Sequence, residues 1–359
     1  MRVAIVHDDL VQWGGAERVL EGICEIYPDA PIFSSVFDKD NKDLKKRFGN
    51  KKVYTSFLQR IPGWKSLYKA MLPLYPIAFE QFDFSEYDLV ISHTTRFAKS
   101  IITKPKTVHI CYCHTPPRFL WNFSGQSYPM LEFFFKKLKP YDKISAQRVD
   151  YFIAGSENAK RRIKKVYGND SKVVYPFVDL KRFENIETFD GGYYLVISRL
   201  NKYKRIDLAL EACIKLELPL KIIGIGPESE GLRVKGKGER VEFLRELDDE
   251  MLVQIMAGCR ALIIPGIEDF GMTSLEVQAL GKPVIAYKEG GVLETVQEGK
   301  TGFFFDYPTV DSLIKTLDFF NDLHRWNNAK ICQENAKRFS KDLFFTNFKQ
   351  TVEHLLYTN

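Results

Sequence analysis

Two glutamates bracket the segment Glu268-Asp269-Phe270-Gly271-Met272-Thr273-Ser274-Leu275-Glu276. An apolar run, 261–264, leads into it through Pro265-Gly266, and helical spacing begins near Thr273. A strand feeding a helix through a glycine turn leaves the first helical amides unpaired. The N–H groups of Gly271, Met272 and Thr273 therefore suit an anion or hydroxyls. Glu268 precedes the helix and Glu276 lies within it, so the two carboxylates can grip different parts of one polyol. A second cluster, Ser198-Arg199-Leu200-Asn201-Lys202-Tyr203-Lys204-Arg205-Ile206-Asp207, directly follows the apolar run 194–197. Cations at the carboxyl end of a strand suit a pyrophosphate leaving group, whose negative charge grows as its bond breaks. Solvated surface Lys and Arg is the plainer reading of the same residues. In the other half, His114 closes His109-Ile110-Cys111-Tyr112-Cys113-His114-Thr115-Pro116-Pro117-Arg118 where a strand should end. The two prolines stiffen that loop, as a positioned functional group requires, although a structural histidine fits equally well. Gly14-Gly15, between a first strand and a helix, lets backbone approach a ligand, but such a turn alone is a weak signal. No GxGxxG follows that strand, which counts against a dinucleotide oxidoreductase.

These residues need a frame to hold them. The run 3–6 ends in His7-Asp8-Asp9 and is followed by Gly14-Gly15 and a helical pattern over 16–27. Apolar runs recur at 89–91, 108–113 and 152–154. After Tyr175-Pro176 the pattern restarts, with strands expected at 194–197, 220–225, 241–244, 261–264 and 284–286. Helical spacing separates them at 207–216, 275–280 and 293–296. Alternating elements imply an α/β protein with mostly parallel sheets and helices on both faces. A length of 359 residues suits two such doubly wound domains, 1–177 and 178–340. Ligands bind such sheets at the strands' carboxyl ends, which makes the cleft between the domains the expected site. The tail, 341–359, reads as an amphipathic aromatic helix able to pack back on the first domain.

With 45% apolar and 27% charged residues, the chain is neither collagen-like nor disordered. Its net charge of +6 is uneven. Residues 1–175 hold 28 Lys and Arg against 18 Asp and Glu, which is +10; residues 176–359 hold 24 against 28, which is −4. Within 51–79, Lys51, Lys52, Arg60, Lys65 and Lys69 occur without an acid, interleaved with Tyr54, Phe57, Trp64, Tyr68, Tyr75 and Phe79. Such a segment can lie in an anionic membrane interface, or turn its aromatics inward beneath a solvated face. No nucleic-acid motif accompanies the charge, so nucleic acid is not an expected partner. The apolar start is too short for a signal segment, and no window approaches the ~18 apolar residues of a spanning helix. The expected location is cytoplasmic, peripheral on the inner face of the cytoplasmic membrane. The six cysteines are scattered without a CxxC, as reduced, mostly buried thiols would be, and Cys111 and Cys113 should share one strand face. Beside them only His109 and His114 could complete a metal site. Asp38-Lys39-Asp40 has the spacing of a divalent-cation site, but it lies in a highly charged loop and reads as surface. With Arg199 and Lys204 available, no metal or other cofactor is expected.

Taken together, the sequence resembles the family 4 retaining glycosyltransferases, whose GT-B architecture has two facing Rossmann-like domains. The resemblance runs from Gly14-Gly15-Ala16-Glu17 to Gly299-Lys300-Thr301-Gly302, and its most specific piece is the E-x7-E pattern from Glu268 to Glu276. Arg199 and Lys204 match the family's phosphate-binding pair, and Gly224-Ile225-Gly226-Pro227 its glycine-proline turn. Gly281 to Ala286 and Gly290 to Val296 follow in the family's order. The segments Tyr112 to Pro116 and Pro265 to Gly271 look most like bacterial O-antigen mannosyltransferases that use GDP-mannose. The resemblance implies that the second domain binds the donor, with Arg199 and Lys204 on the diphosphate, Glu276 on the ribose and Glu268 on the transferred sugar. It also implies that Gly15 approaches the diphosphate and His114 contacts the sugar near its anomeric carbon. Three departures stand out: Arg245 in place of a common Gly, Gly266 in place of a common Ser, and Arg205 in place of a Gly after Lys204. The implied function is transfer of a hexose, best taken as mannose, from a nucleotide diphosphate sugar to a hydroxyl of a membrane-associated glycan or glycolipid in cell-surface polysaccharide synthesis. The alternatives are a UDP- or dTDP-sugar donor, a phosphorylase or epimerase of the same architecture, and a non-catalytic sugar-nucleotide-binding subunit.

Overall fold

The computed structural model describes residues 1–68, 70–123, 132–245, 247–323 and 327–357. It divides into two units, one made of Met1–Pro176 with Phe344–Asn359, the other of Phe177–Leu343.

The first unit is built on seven parallel strands: β1 (Val3–His7), β2 (Ile32–Ser34), β3 (Val53–Thr55), β4 (Leu89–Thr94), β5 (Val108–Cys113), β6 (Tyr151–Ala154) and β7 (Ser171–Val173). Their order is β3-β2-β1-β4-β5-β6-β7. β4 is buried along its whole length and β5 at all but its first residue, as expected of central parallel strands covered on both faces. The strand order reverses between β1 and β4, and a doubly wound sheet forms its ligand crevice at the carboxyl ends of such strands.

Six strands form the second unit: β8 (Tyr193–Ile197), β9 (Leu220–Ile223), β10 (Val241–Leu244), β11 (Cys259–Ile264), β12 (Val284–Tyr287) and β13 (Gly302–Phe305), in the order β10-β9-β8-β11-β12-β13. All pairs are parallel. Here the order reverses between β8 and β11. The Arg199–Lys204 segment follows β8 and the Glu268 segment follows β11, so both motifs emerge at one switch point.

One expectation needs correction, while the basic segment and the tail take definite form. The run 220–225 is a strand only as far as Ile223, because Gly224 turns the chain at φ +144°. Residues 51–79 divide among several short elements. They break into β3, short 3-10 turns and the small helices Trp64–Leu67 and Tyr75–Glu80, consistent with prolines at 62, 73 and 76. The tail is a helix, Lys341–Tyr357, and its Phe344 and Phe348 bury themselves against Tyr112 of β5, with ring centroids 6.2 and 5.9 Å away. Strands β2, β3 and β7, each of three residues, are too short for periodicity to announce them, and β13 is not among the expected strands either.

Candidate functional site

In the second unit, β8 delivers a loop whose path is fixed by main-chain bonds from Leu200 N–H to Ile225 O and from Glu228 N–H to Leu200 O. Lys204 ends a single 3-10 turn, Lys202–Lys204, and is nine-tenths buried. Its ammonium donates to the Glu268 carboxylate. Arg199, by contrast, is exposed, and among the described residues no hydrogen bond or ion pair engages it. Gly226 N–H is taken by the Ser229 hydroxyl at 2.9 Å, which closes the glycine-proline turn on itself.

Glu268 is held from β12's far side: Gly291 N–H donates to Glu268 O at 2.8 Å, and Glu268 bridges Gly290. Beyond it, Gly271 caps the helix Met272–Ala279 at φ +96°, a left-handed conformation that a side chain would strain. Met272 and Thr273 are half-buried at that helix start, with first-turn amides open to an acceptor. Phe270 turns away and packs on Phe339 at 5.5 Å, so its side chain anchors the loop and does not line the crevice. Glu276 is buried on the helix, where Arg182 donates to it at 2.9 Å. Arg182 also binds Asp249. Burial opposes its charge, yet Asp249 and Glu276 hold Arg182 more firmly protonated than usual. A narrow crevice lined by Ser198, Lys204, Gly266, Glu268, Gly271 and Thr273 opens between these groups.

Two of the departures now have a physical reason. A Cβ on Gly266 would lie 2.7 Å from the Lys204 main chain, so glycine lets the two loops touch. Arg205 sits at φ +52°, the left-handed region that glycine fills without strain, and it is tied down by Asp207 at 3.1 Å. Arg245 is exposed just past β10.

The first unit gathers a different set at its own switch point. Asp8, just past β1, accepts from Thr94 Oγ1 at 2.9 Å and from the amides of Thr95, Phe97 and Ala98 at 2.6, 2.9 and 2.8 Å. Burial would raise its pKa, but Arg96, His7 and these amides hold it below the ordinary 3.8. Arg96 in turn binds Asp9. Gly14 caps the helix Gly15–Ile26 in extended backbone, φ −156°, and Gly15 is exposed at its start. His114 follows β5 and places its Nε2 2.8 Å from Nε2 of His93. Sequence reasoning missed Arg182, His93, His7 and Glu17. Arg182 meets a partner 94 positions away and His7 one 86 positions away, which no local spacing reports.

His109, offered for a metal with Cys111 and Cys113, instead bonds the Ser92 hydroxyl at 2.8 Å, and burial pushes its pKa down to about 3. Lys65 binds both Asp38 and Asp40 at 2.6 Å, so the DxD-like pair is engaged by a cation. Among the described residues, no group of three or more His, Cys, Asp or Glu is arranged to hold a metal ion. Tyr75, Phe79, Leu58 and Met71 are buried, and Trp64 and Tyr68 pack on the same core. Phe57, Leu67, Leu74 and Ile77 remain exposed, as does Lys52. Lys69 lies outside the described residues. No described helix is long and apolar enough to cross a membrane. A cavity of about 620 Å³ opens at the amino ends of β8, β9 and β10, away from every residue above. Its polar groups already pair, Lys221 with Glu242 at 3.0 Å and the Tyr193 hydroxyl with Ile255 O at 2.7 Å.

Residues 13–182 match the model of the family described as Glycosyltransferase Family 4, and residues 177–339 that of Glycosyl transferases group 1. An uncharacterized glycosyltransferase of Methanocaldococcus jannaschii is 28% identical over 55% of this chain and 57% of its own length. The alpha-1,3/1,6-mannosyltransferase ALG2 of Saccharomyces cerevisiae is 25% identical over 84% of this chain and 72% of its own. Among solved structures, Anabaena Alr3699/HepE in complex with UDP and glucose superposes with a TM-score of 0.73 at 20% identity, covering 98% of this chain and 99% of that one. That last likeness establishes the shared fold.

Proposed function

The chain belongs to the family 4 glycosyltransferases, of the GT-B type with two Rossmann-like domains, and from that premise we propose that it transfers mannose from GDP-mannose to a hydroxyl of a membrane-associated glycan or glycolipid, with retention at the anomeric carbon. One observation carries the donor half of this reading. Arg199, exposed and without a hydrogen-bond or ion-pair partner among the described residues, and buried Lys204, which pairs with Glu268, stand at the carboxyl end of β8.

In the reaction, the bond from the anomeric carbon to the diphosphate oxygen breaks while the acceptor oxygen bonds to the same face. The acceptor's proton passes to the departing phosphate oxygen. Arg199 and Lys204 stabilise the growing charge on that phosphate, a task whose value is greatest where water is excluded. Lys204 is held against Glu268 before the donor arrives, so the donor competes for a preformed ion pair. Glu276, oriented by Arg182, receives the ribose hydroxyls. The first-turn amides of Met272 and Thr273 add fixed dipoles toward an anion, and His114 contacts the transferred sugar. With two cations on the phosphate, we read the enzyme as metal-independent, and chelation by EDTA should leave turnover unchanged.

Support for mannose comes from the likeness to the yeast mannosyltransferase and from the motif resemblance, while the solved relative holds UDP and glucose. A UDP-sugar donor is therefore the second reading. Incubating the protein with GDP-mannose and with UDP- and dTDP-sugars, and measuring hydrolysis and thermal shift, separates the two. Response to GDP-mannose alone supports the first; response only to UDP- or dTDP-sugars overturns it and leaves the transferase reading standing. The exposed apolar residues Phe57, Leu67, Leu74 and Ile77 suit the proposed peripheral attachment to a membrane surface, at the inner face of the cytoplasmic membrane.

A further inference from the structure

Arg245 is the one departure from the family pattern that packing leaves without a task. It follows β10 directly and is exposed, and among the described residues no hydrogen bond, ion pair or ring contact engages it. An exposed cation without a partner adds little to stability. What distinguishes this one is its place on the carboxyl edge of the second sheet.

Register fixes that place. Leu244 of β10 is level with Ile223 of β9, and Ile223 with Ile197 of β8, so Arg245, Gly224 and Ser198 stand in one row. Arg199 is one residue beyond the row. β10 lies two strands from β8, about 10 Å at ordinary strand spacing. Between the two arginines the loop after β9 is pressed against the loop after β8. A Cβ on Gly224 would collide with Ser198 O, and one on Gly226 with Leu200 O. Of residues 224–226 only Ile225 carries a side chain, and it is 67% exposed. A second path reaches the same spot. Arg182 donates to Glu276 at 2.9 Å and, through Nε, to Asp249 at 3.0 Å. Asp249 opens the helix Asp249–Gly258, four residues after Arg245. One guanidinium therefore joins the carboxylate assigned to the ribose to the segment that carries Arg245. For a nucleotide with its diphosphate at Arg199 and its ribose at Glu276, the base is the part left over. The ends of β9 and β10 are the part of the edge left over for it.

We infer that Arg245 is a specificity-determining residue that reads the donor's base and selects guanine. Guanine presents two adjacent acceptors, O6 and N7, which match two N–H groups of a guanidinium. Adenine sets an amino donor beside N7, and uracil and thymine offer a single carbonyl, O4, on the corresponding edge. Exposed Ile225 supplies an apolar surface for the face of the base. The inference rests on the GDP-mannose reading and names the residue and the base atoms that would enforce it.

Calorimetric titration of the protein with GDP, 7-deaza-GDP, ADP and UDP tests it. 7-Deaza-GDP keeps every group of GDP except N7, which becomes C–H. The wild type should bind GDP several-fold more tightly than 7-deaza-GDP, and about tenfold or more tightly than ADP or UDP. Arg245→Ala should bind GDP and 7-deaza-GDP alike, with ADP and UDP nearly unchanged and the melting temperature preserved. Arg245→Lys, a point charge without the fork, should recover only part of the preference. An alanine variant that still prefers GDP to 7-deaza-GDP overturns the inference and leaves the GDP-mannose reading standing. So does a uniform weakening of all four ligands, the mark of a charge acting on the diphosphate. Equal affinities for GDP and 7-deaza-GDP in the wild type overturn it without any variant. A wild type that prefers UDP, or binds none of the four, overturns the inference together with the GDP-mannose reading.

Discussion

At the residue scale, the candidate donor site consists of charges of two kinds. Lys204 and Glu276 already have partners, in Glu268 and Arg182, whereas Arg199 has none among the described residues. An unpaired, exposed cation contributes little to folding, so Arg199→Ala should leave the melting temperature nearly unchanged while lowering kcat on the order of 10²-fold or more. Lys204→Ala should lower kcat as much, and it also strips Glu268 of its partner. Steady-state kinetics with thermal melts checks both, and full activity in either variant would remove that residue from the leaving-group role. Arg182 gives a finer test. Arg182→Gln should raise the donor KM with less change in kcat, because it loosens the carboxylate assigned to the ribose and touches no reacting atom.

Elements explain why these residues are where they are. Gly271 starts the helix that carries Glu276 from a left-handed conformation, with Val292, Ser274 and Thr295 within 3.6 Å of where a Cβ would go. Gly271→Ala should therefore destabilise the second unit by about 1–2 kcal/mol and reduce donor binding, measurable by urea unfolding and titration. In the first unit, Asp8 binds the end of β1 to the turn after β4 through five donor groups. Its folded pKa lies below its unfolded value near 3.8, so its stabilisation is complete above about pH 5 and is lost as pH falls through the folded value. Asp8→Asn should cost about 2–4 kcal/mol at neutral pH and flatten the stability profile below pH 4. Chemical denaturation across that range reads the sign directly; an unchanged profile would mean that Asp8 titrates alike in both states.

For the whole molecule, the telling feature is the return of the chain to the first unit. Residues Phe177–Leu343 form the second unit, after which Phe344–Asn359 rejoins the first. Phe348 is fully buried and touches Tyr112, which packs on His93. Phe348→Ala should cost about 3–5 kcal/mol, and calorimetry should locate that loss in the first unit's transition, although the substitution lies at the far end of the sequence. The charge asymmetry also changes meaning at this scale. Lys65 of the basic stretch is held by Asp38 and Asp40, and Lys51 donates to Pro28 O at 2.7 Å, so fewer cations are open to a surface than the sequence suggested. If the stretch attaches to anionic vesicles, Leu74→Ser with Ile77→Ser should weaken co-sedimentation more than Lys65→Ser does.

Sequence alone determined the alternation of strands and helices, the restart near Tyr175-Pro176 and the placement of Arg199, Lys204, Glu268 and Glu276 after strands. Those features are local, since apolar periodicity and glycine turns are written in adjacent residues. The strands β2, β3 and β7 escaped because three residues carry no period. Tertiary structure alone decided which charges meet. Arg182 and Glu276, Lys204 and Glu268, and the imidazoles of His7, His93 and His114 are residues distant in sequence, brought together only when parallel strands align their carboxyl ends. It decided equally that Phe270 packs inward and that the last helix belongs with the first unit. Burial and pairing are properties of three-dimensional neighbourhoods, and a linear pattern names the candidates without choosing their partners.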